Sequence, residues 1–113
     1  MAIASAAGER GLLHLTGYAA SKHAVIGMVR GLAADLAGTG VTAVAVSPGS
    51  TRTSMLAATA DLYNSTPADL ASNQRIRRLI EPEEIAATIA LCCSPDGAAL
   101  NGSVIRADGG FGG

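Results

Sequence analysis

The longest regular pattern of apolar residues lies between residues 16 and 36. Apolar side chains recur there at three- and four-residue intervals, the spacing of one helix face; they are Ala24, Val25, Met28, Val29, Leu32, Ala33 and Leu36. Thr16 and Gly17 supply a cap before this stretch, and Gly38 and Gly40 end it. The pattern predicts a long helix whose apolar stripe packs on a sheet or on a partner helix.

Three shorter apolar runs have the character of β-strands. Residues 41–46 form a continuous, β-branched run that ends before Pro48, which is typical of a strand buried on both faces of a parallel sheet. Residues 2–5 fit the end of a strand, and residues 103–107 follow a turn and form another. Residues 108–113 are rich in glycine and predict a flexible end.

Helical segments are predicted between the second and third strands. Two short pieces cover residues 54–62 and 67–76, and Thr66 and Pro67 are the residue types that begin a helix. A longer helix begins at Pro82, which two glutamates follow at the positive end of its dipole. The order of these elements predicts an α/β fold, namely part of a doubly wound parallel sheet with right-handed crossovers.

Composition narrows the class of protein. With 113 residues, 49% of them hydrophobic and 15% charged, the chain is globular and forms one domain at most. A net charge of −1 and the lack of a basic run argue against nucleic acid or a membrane surface as partner. No stretch approaches about 20 consecutive apolar residues, and the N-terminus lacks a signal-peptide pattern. We therefore expect a soluble, cytoplasmic protein whose partner is a small molecule.

The cysteines and histidines do not predict a metal site. Cys92 and Cys93 are adjacent, so on a helix they point in different directions and favour simple packing. His14 and His23 each lack a second ligand at metal-binding spacing. His14 can line a substrate pocket or lie on a solvated loop, and the sequence leaves both open.

The pair Tyr18 and Lys22 carries the strongest chemical signal. Four residues of helix place both side chains on one face, and an ammonium beside a phenol favours the phenolate by Coulomb attraction. Such a phenol suits general acid/base catalysis. Ser5 can reach the same substrate oxygen from the end of the first strand, and at the end of the next strand Pro48 and Gly49 form a turn where backbone can approach a planar ring. A coincidental pair and an ordinary strand-ending turn remain the plain alternatives for each feature alone.

Because these features occur together, in the order and at the spacings found in the short-chain dehydrogenase/reductase family, the chain resembles that family. Its catalytic serine, tyrosine and lysine match Ser5, Tyr18 and Lys22, and the similarity extends to its strand and Pro-Gly turn over 41–49. It continues through Thr53, Met55 and Asp108-Gly109-Gly110. More narrowly, three segments are similar to the mycofactocin-associated branch of the family: residues 47–53, 77–84 and 107–111.

The resemblance implies hydride transfer between NAD, or NADP, and an alcohol or ketone carbon. It implies that Tyr18 exchanges a proton with the substrate oxygen, Ser5 donates a hydrogen bond to that oxygen, and Lys22 holds the nicotinamide ribose. For the cofactor it implies contacts from Tyr18, Lys22, Pro48, Gly49, Thr51 and Thr53. The family usually has Ile or Val where this chain has Thr51.

Residues 53–80 correspond to the substrate lid of the family. The apolar side chains of this segment either face the substrate or seal the lid onto the core, and the sequence leaves both open; they are Met55, Leu56, Leu62 and Tyr63. Arg75, Arg77 and Arg78 form a basic cluster that is solvated or ion-paired, with an anion site as the alternative.

The family also has parts that this sequence lacks. They are the glycine-rich turn that binds the cofactor pyrophosphate, the residue that selects NAD or NADP, and a catalytic asparagine. We therefore expect residues 1–113 to be the C-terminal half of such a domain, inactive as an isolated fragment of a homo-oligomeric parent, a dimer or a tetramer. A non-catalytic assembly module is the alternative.

Overall fold

The computed structural model describes residues 1–112. Within them, three strands form one parallel sheet in the order β1 (Ala2–Ile3), β2 (Ala45–Pro48) and β3 (Val104–Ala107). The predicted α/β fold with a parallel sheet is confirmed. The strand predicted over 41–46 instead begins at Ala45 and ends at Pro48, because the Ala43 amide bonds the Asn101 side chain at 2.8 Å.

Four α-helices lie within the described residues. They are α1 (Thr16–Asp35), α2 (Ser54–Leu62), α3 (Pro67–Ala71) and α4 (Pro82–Cys92), and two 3₁₀ helices cover Ala6–Gly8 and Pro95–Leu100. The predicted start of α3 is confirmed, since the Thr66 hydroxyl accepts a hydrogen bond from the Asp69 amide at 3.2 Å. α3 ends at Ala71 and not near residue 76. No helix among residues 1–112 has the length and apolar character needed to span a membrane.

The alternation of side chains along β2 builds a core on each face of the sheet. Ala43 and Ala45 pack with Ile26 and Val29 of α1, while the even-numbered residues of the strand pack toward α4. The second cluster contains Val44, Val46, Ile80, Ile85 and Cys92. Cys92 thus packs in the core as predicted, while Cys93 is exposed.

The buried face of α1 differs from the predicted stripe. Its buried residues are Ala19, Ile26 and Val29, whereas Met28 and Leu32 are 52% and 42% exposed. Ile26 and Val29 pack with residues of the sheet, and Val25 and Ala33 of the predicted stripe pack against this cluster, which leaves Met28 on the outer face. The predicted cap is also displaced, because α1 has Leu15 at its N-cap and no side-chain cap.

Residues 108–112, predicted to be part of a flexible end, are held by hydrogen bonds to residues 73–76 of the predicted lid segment. The Gly109 carbonyl accepts from the Ile76 amide at 3.2 Å, and the Gly112 amide donates to the Asn73 carbonyl at 2.8 Å. Gly113 lies outside the described residues.

Candidate active site

The carboxyl ends of β1 and β2 open onto a cleft of about 910 Å³. Ser5 follows β1 and Pro48 ends β2, and because the strands are parallel both reach the same edge of the sheet. The first two turns of α1 add Tyr18 and Lys22. All the site residues inferred from the sequence line this cleft: Ser5, Tyr18, Lys22, Pro48, Gly49, Thr51 and Thr53.

Tyr18 and Lys22 are neighbours, as their spacing predicts. The Lys22 Nζ lies 5.6 Å from the centroid of the Tyr18 ring, and it donates a hydrogen bond to the Ile3 carbonyl at 3.1 Å. The end of β1 thereby fixes the ammonium beside the phenol.

Ser5 is held in extended backbone at the start of the 3₁₀ helix Ala6–Gly8. Its Oγ accepts a hydrogen bond from the Ala7 amide at 3.1 Å. This bond occupies a lone pair on the oxygen and leaves the hydroxyl proton for another acceptor. Ser5 is therefore oriented as a hydrogen-bond donor within the cleft.

Packing explains the glycine after Pro48. A Cβ atom on Gly49 would strike the Gln74 Oε1 and lie 2.8 Å from the Asp108 carbonyl oxygen. The sequence interpretation, in which the missing side chain lets backbone approach a planar ring, does not identify this contact. Gly49 brings the β2 loop against the lid segment and against the chain after β3.

Thr51 and Thr53 shape the loop that leaves β2. The Thr51 hydroxyl donates to the Gly49 carbonyl at 3.1 Å, and the Thr51 backbone pairs with Ile80 in a parallel bridge. The Thr53 hydroxyl caps α2 by accepting from the Leu56 amide at 3.2 Å. Both hydroxyls thus have local partners, and the first turn of α2 lines the cleft through Met55 and Leu56.

Gln74 is a structural residue of this site that the sequence did not reveal. It is 1% exposed; its Oε1 accepts from the Ser50 amide at 2.6 Å and its Nε2 donates to the Arg78 carbonyl at 2.7 Å. Gln74 thus ties the end of the lid segment to the loop that carries Thr51. Nothing in its local sequence signals this role, because its partners are distant in the chain or follow a turn.

The segment 53–80, the predicted lid, lines the cleft with apolar side chains. Of the four residues considered for this role, Met55, Leu56 and Tyr63 line the cleft, whereas Leu62 does not and is 50% exposed. Tyr63 also contacts the loop before α1, where its hydroxyl donates to the Leu13 carbonyl. His14 is not among the lining residues, and its ring lies 6.0 Å from the Tyr63 ring between centroids.

The arginines beside the lid form ion pairs. Arg78 bonds the Glu84 carboxylate with both terminal nitrogens, at 2.7 and 2.8 Å, and Arg52 bonds Glu81 at 3.0 Å. The Arg78 guanidinium, together with the Glu81 amide, lowers the pKa of Glu84 to about 2. Arg78 is thus ion-paired, which was one of the interpretations of the basic cluster.

Comparison with known proteins extends over nearly the whole chain. A family model described as enoyl-(acyl carrier protein) reductase matches residues 1–112. The putative ketoacyl reductase of Streptomyces coelicolor is 35% identical, and the match covers 97% of this chain and 45% of the relative. The acetoacetyl-CoA reductase of Synechocystis sp. is 40% identical, and the match covers 96% of this chain and 45% of the relative. The chain therefore spans less than half the length of these relatives.

A solved structure shares the arrangement of elements. A variant of the actinorhodin polyketide ketoreductase, determined with NADPH, superposes with a TM-score of 0.90 at 35% identity, covering 97% of this chain and 45% of that one. The match includes the strand ends that carry Ser5 and Pro48 and the helix that carries Tyr18 and Lys22. By its family match and its fold, the chain belongs to the short-chain dehydrogenase/reductase family.

Proposed function

We propose that this chain supplies the catalytic half of an NAD(P)-dependent oxidoreductase that interconverts an alcohol and a ketone. The observation that carries the proposal is the single cleft that brings Ser5, the Tyr18 and Lys22 pair, and the 48–53 loop together. The relatives named ketoacyl reductase and acetoacetyl-CoA reductase, and a structural neighbour with NADPH, support this class of reaction.

The residues of the cleft fit a nicotinamide cofactor. Tyr18, Lys22 and the 48–53 loop lie at the carboxyl ends of parallel strands, where α/β proteins bind nucleotides. When bound, the cofactor would supply or accept the hydride. Contacts would come from the backbone of Thr51 and from Pro48 and Gly49, with Thr53 setting the position of the α2 N-terminus. NAD and NADP are both compatible with these residues.

Three side chains of the cleft have separate roles in moving the proton and stabilising charge. In the reductive direction, a ketone takes up one hydride at carbon and one proton at oxygen, and Tyr18 donates that proton. Ser5 donates a hydrogen bond to the same oxygen as charge develops on it. Lys22, held by the Ile3 carbonyl, stabilises the tyrosinate that remains. In the oxidative direction each transfer is reversed.

The domain organisation follows from the same proposal. Residues 53–80 form the substrate lid, tied at its end to the β2 loop by Gln74. A glycine-rich pyrophosphate site comes from polypeptide other than residues 1–113. The intact enzyme is a homo-oligomer that uses the outer face of α1, where Met28 and Leu32 are exposed beside Gly27.

An isotope-transfer experiment tests the reaction class. The full-length protein that contains this chain is incubated with a ketone and with NADH or NADPH carrying deuterium at the reactive carbon. We expect deuterium at the carbinol carbon of the alcohol product. Absence of deuterium in the product for every ketone and both cofactors would contradict the proposal and favour a non-catalytic assembly module.

A second candidate concerns how the cofactor is recycled. The similarity of residues 47–53, 77–84 and 107–111 to the mycofactocin-associated branch favours a cofactor that stays bound and is reoxidised in place. Under this candidate, alcohol oxidation requires an added electron carrier. Repeated turnover with free NAD as the sole acceptor would contradict it.

A further inference from the structure

Two elements supply apolar side chains to the substrate side of the cleft. Leu12 and Leu15 come from the loop that precedes Tyr18, and Met55 and Leu56 come from α2. Met55 is 66% exposed, so its thioether contributes little to the core and is available to a ligand. Thr59, one turn further along α2, turns its hydroxyl to the Met55 carbonyl at 2.9 Å, which leaves its methyl group for contact.

Formal charge is scarce in this cleft. Among the lining residues in the described part of the chain, Lys22 alone carries one, and it is engaged with Tyr18 and the Ile3 carbonyl. Arg52 and Arg78 are paired with glutamates and do not line the cleft. Arginine and lysine are common partners of phosphate groups such as those of coenzyme A or of a carrier-protein arm. Among the described residues that line the cleft, only Lys22 offers such groups a cation, and Arg10 lies 5.5 Å from the ring centroid of the lining residue Phe111.

One contact joins the two apolar walls. The Tyr63 hydroxyl at the end of α2 donates to the Leu13 carbonyl, and the His14 ring lies beside the Tyr63 ring. His14 has a φ of 62°, so the loop turns sharply where it meets α2. Leu13 directs its side chain outward, at 71% exposure, while its carbonyl receives the bond. We call this contact the Tyr63 latch.

We infer that the substrate is an uncharged, apolar alcohol or ketone and not a coenzyme A or carrier-protein thioester, and that Tyr63 determines its fit by holding the walls together. The inference rests on the proposed function. It differs from the substrates named for the relatives, because the described walls of this cleft are apolar and carry no formal charge besides that of Lys22.

Competing substrates test the substrate class. In the full-length protein, with labelled NADH or NADPH as before, kcat/KM is measured for 2-octanone and for acetoacetyl-CoA. We expect 2-octanone to be preferred by at least about tenfold, the discrimination that an apolar pocket provides. Equal values, or a preference for acetoacetyl-CoA, overturn the inference and leave the proposed function intact. Turnover of neither, with no label in any product, overturns both.

The Tyr63 latch is tested by Tyr63→Phe, which keeps the ring and removes the donor. We expect KM for 2-octanone to rise by about 2- to 10-fold, the change in an equilibrium constant that corresponds to the loss of one hydrogen bond. The KM for the cofactor and kcat should change less. Leu62→Ala, at the neighbouring exposed position, is the matched control and should leave these constants unchanged. An unaltered KM for 2-octanone in Tyr63→Phe overturns the assignment of Tyr63.

Arg10 provides the complementary test, because its guanidinium lies 5.5 Å from the ring centroid of Phe111, a cleft residue. We expect Arg10→Gln to leave the preference for 2-octanone over acetoacetyl-CoA unchanged. A further loss of acetoacetyl-CoA turnover in this variant would reveal a phosphate contact from Arg10 and overturn the inference.

Discussion

At the residue scale, the Ser47 hydroxyl is buried without a hydrogen-bond partner among residues 1–112. Ser47 lies on β2 and is 0% exposed. An unsatisfied buried polar group costs about 1–3 kcal/mol of stability. We expect Ser47→Ala to raise the free energy of unfolding or leave it unchanged, as measured by urea denaturation. Ser21→Ala on the surface of α1 is the control, with a change within about 0.5 kcal/mol. A marked loss of stability in Ser47→Ala would contradict the assignment.

A pair of glycine substitutions tests the packing around the β2 loop. Gly49→Ala places a methyl group against Gln74 and Asp108, so we expect it to lower the free energy of unfolding by about 1–3 kcal/mol. A methyl group added at Gly27 in α1 would meet open space, and Gly27→Ala should stabilise the helix by about 0.5–1 kcal/mol. Equal effects of the two substitutions on the midpoint of thermal unfolding would contradict the packing account.

Single residues differ in how far the sequence predicts them. The Tyr18 and Lys22 contact follows from helical spacing alone, because residues four apart on a helix are neighbours. The contacts of Gln74 and Gly49 join segments far apart in the chain, and no local pattern encodes such a meeting. The sequence therefore predicts the chemical groups of the site but not the residues that hold its loop in place.

At the element scale, Gln74 joins the lid segment to the β2 loop. Gln74→Leu keeps similar volume but leaves the Ser50 amide and the Arg78 carbonyl without their side-chain partners. We expect a loss of about 1–3 kcal/mol in the free energy of unfolding and a higher KM for the nicotinamide cofactor. Asn73→Ala, at the preceding position, is the control. Wild-type stability and cofactor KM in Gln74→Leu would contradict the role of this contact.

The start of α4 gives a prediction about pH. The pKa of Glu84 is about 2 in the folded chain, against an ordinary value of 4.5. The stability from this lowered pKa is therefore fully present above about pH 5 and is lost as the pH falls toward 2. Glu84→Gln keeps an acceptor for the Glu81 amide but removes the charge that pairs with Arg78.

Urea midpoints measured between pH 6 and pH 2.5 test this prediction. We expect the wild-type midpoint to fall more steeply with acid than that of Glu84→Gln. Glu83→Gln, at the adjacent position outside the capping box, should follow the wild type. Parallel pH profiles for wild type and Glu84→Gln would contradict the assignment of Glu84.

The elements were predicted best where capping residues mark them. Pro82 with two glutamates identified the start of α4, and Thr66 identified that of α3. The buried face of α1 was predicted less well, because its many alanines and glycines blur the apolar periodicity. Its alignment on the sheet depends on which line of side chains reaches Ala43 and Ala45, a tertiary contact that the helix sequence does not contain.

At the scale of the whole molecule, the order of elements was sufficient to predict a parallel α/β sheet. Strand, helix and strand in alternation admit few arrangements, and the right-handed crossover selects among them. The resemblance predicts a lid over residues 53–80, but the sequence does not orient the side chains of this segment. Their orientation depends on the Tyr63 latch, which joins two segments separated by α1 and β2.

The outer face of α1 gives a prediction at the same scale. Met28 is 52% exposed on that face, so Met28→Lys would place a charge within the proposed interface between two copies. We expect this variant to lower the oligomeric mass of the full-length protein in sedimentation analysis, with Arg30→Lys as a charge-conserving control. An unchanged mass would contradict the proposed use of this face.

Tyr18 is proposed to exchange a proton with the substrate oxygen, and Tyr18→Phe in the full-length protein tests this role. We expect kcat for ketone reduction to fall by about 10²- to 10⁴-fold, the contribution of general acid catalysis, with cofactor binding largely retained. Ala20→Ser, on the exposed side of the same helix turn, should retain wild-type kcat. Near-parental kcat in Tyr18→Phe would contradict the account.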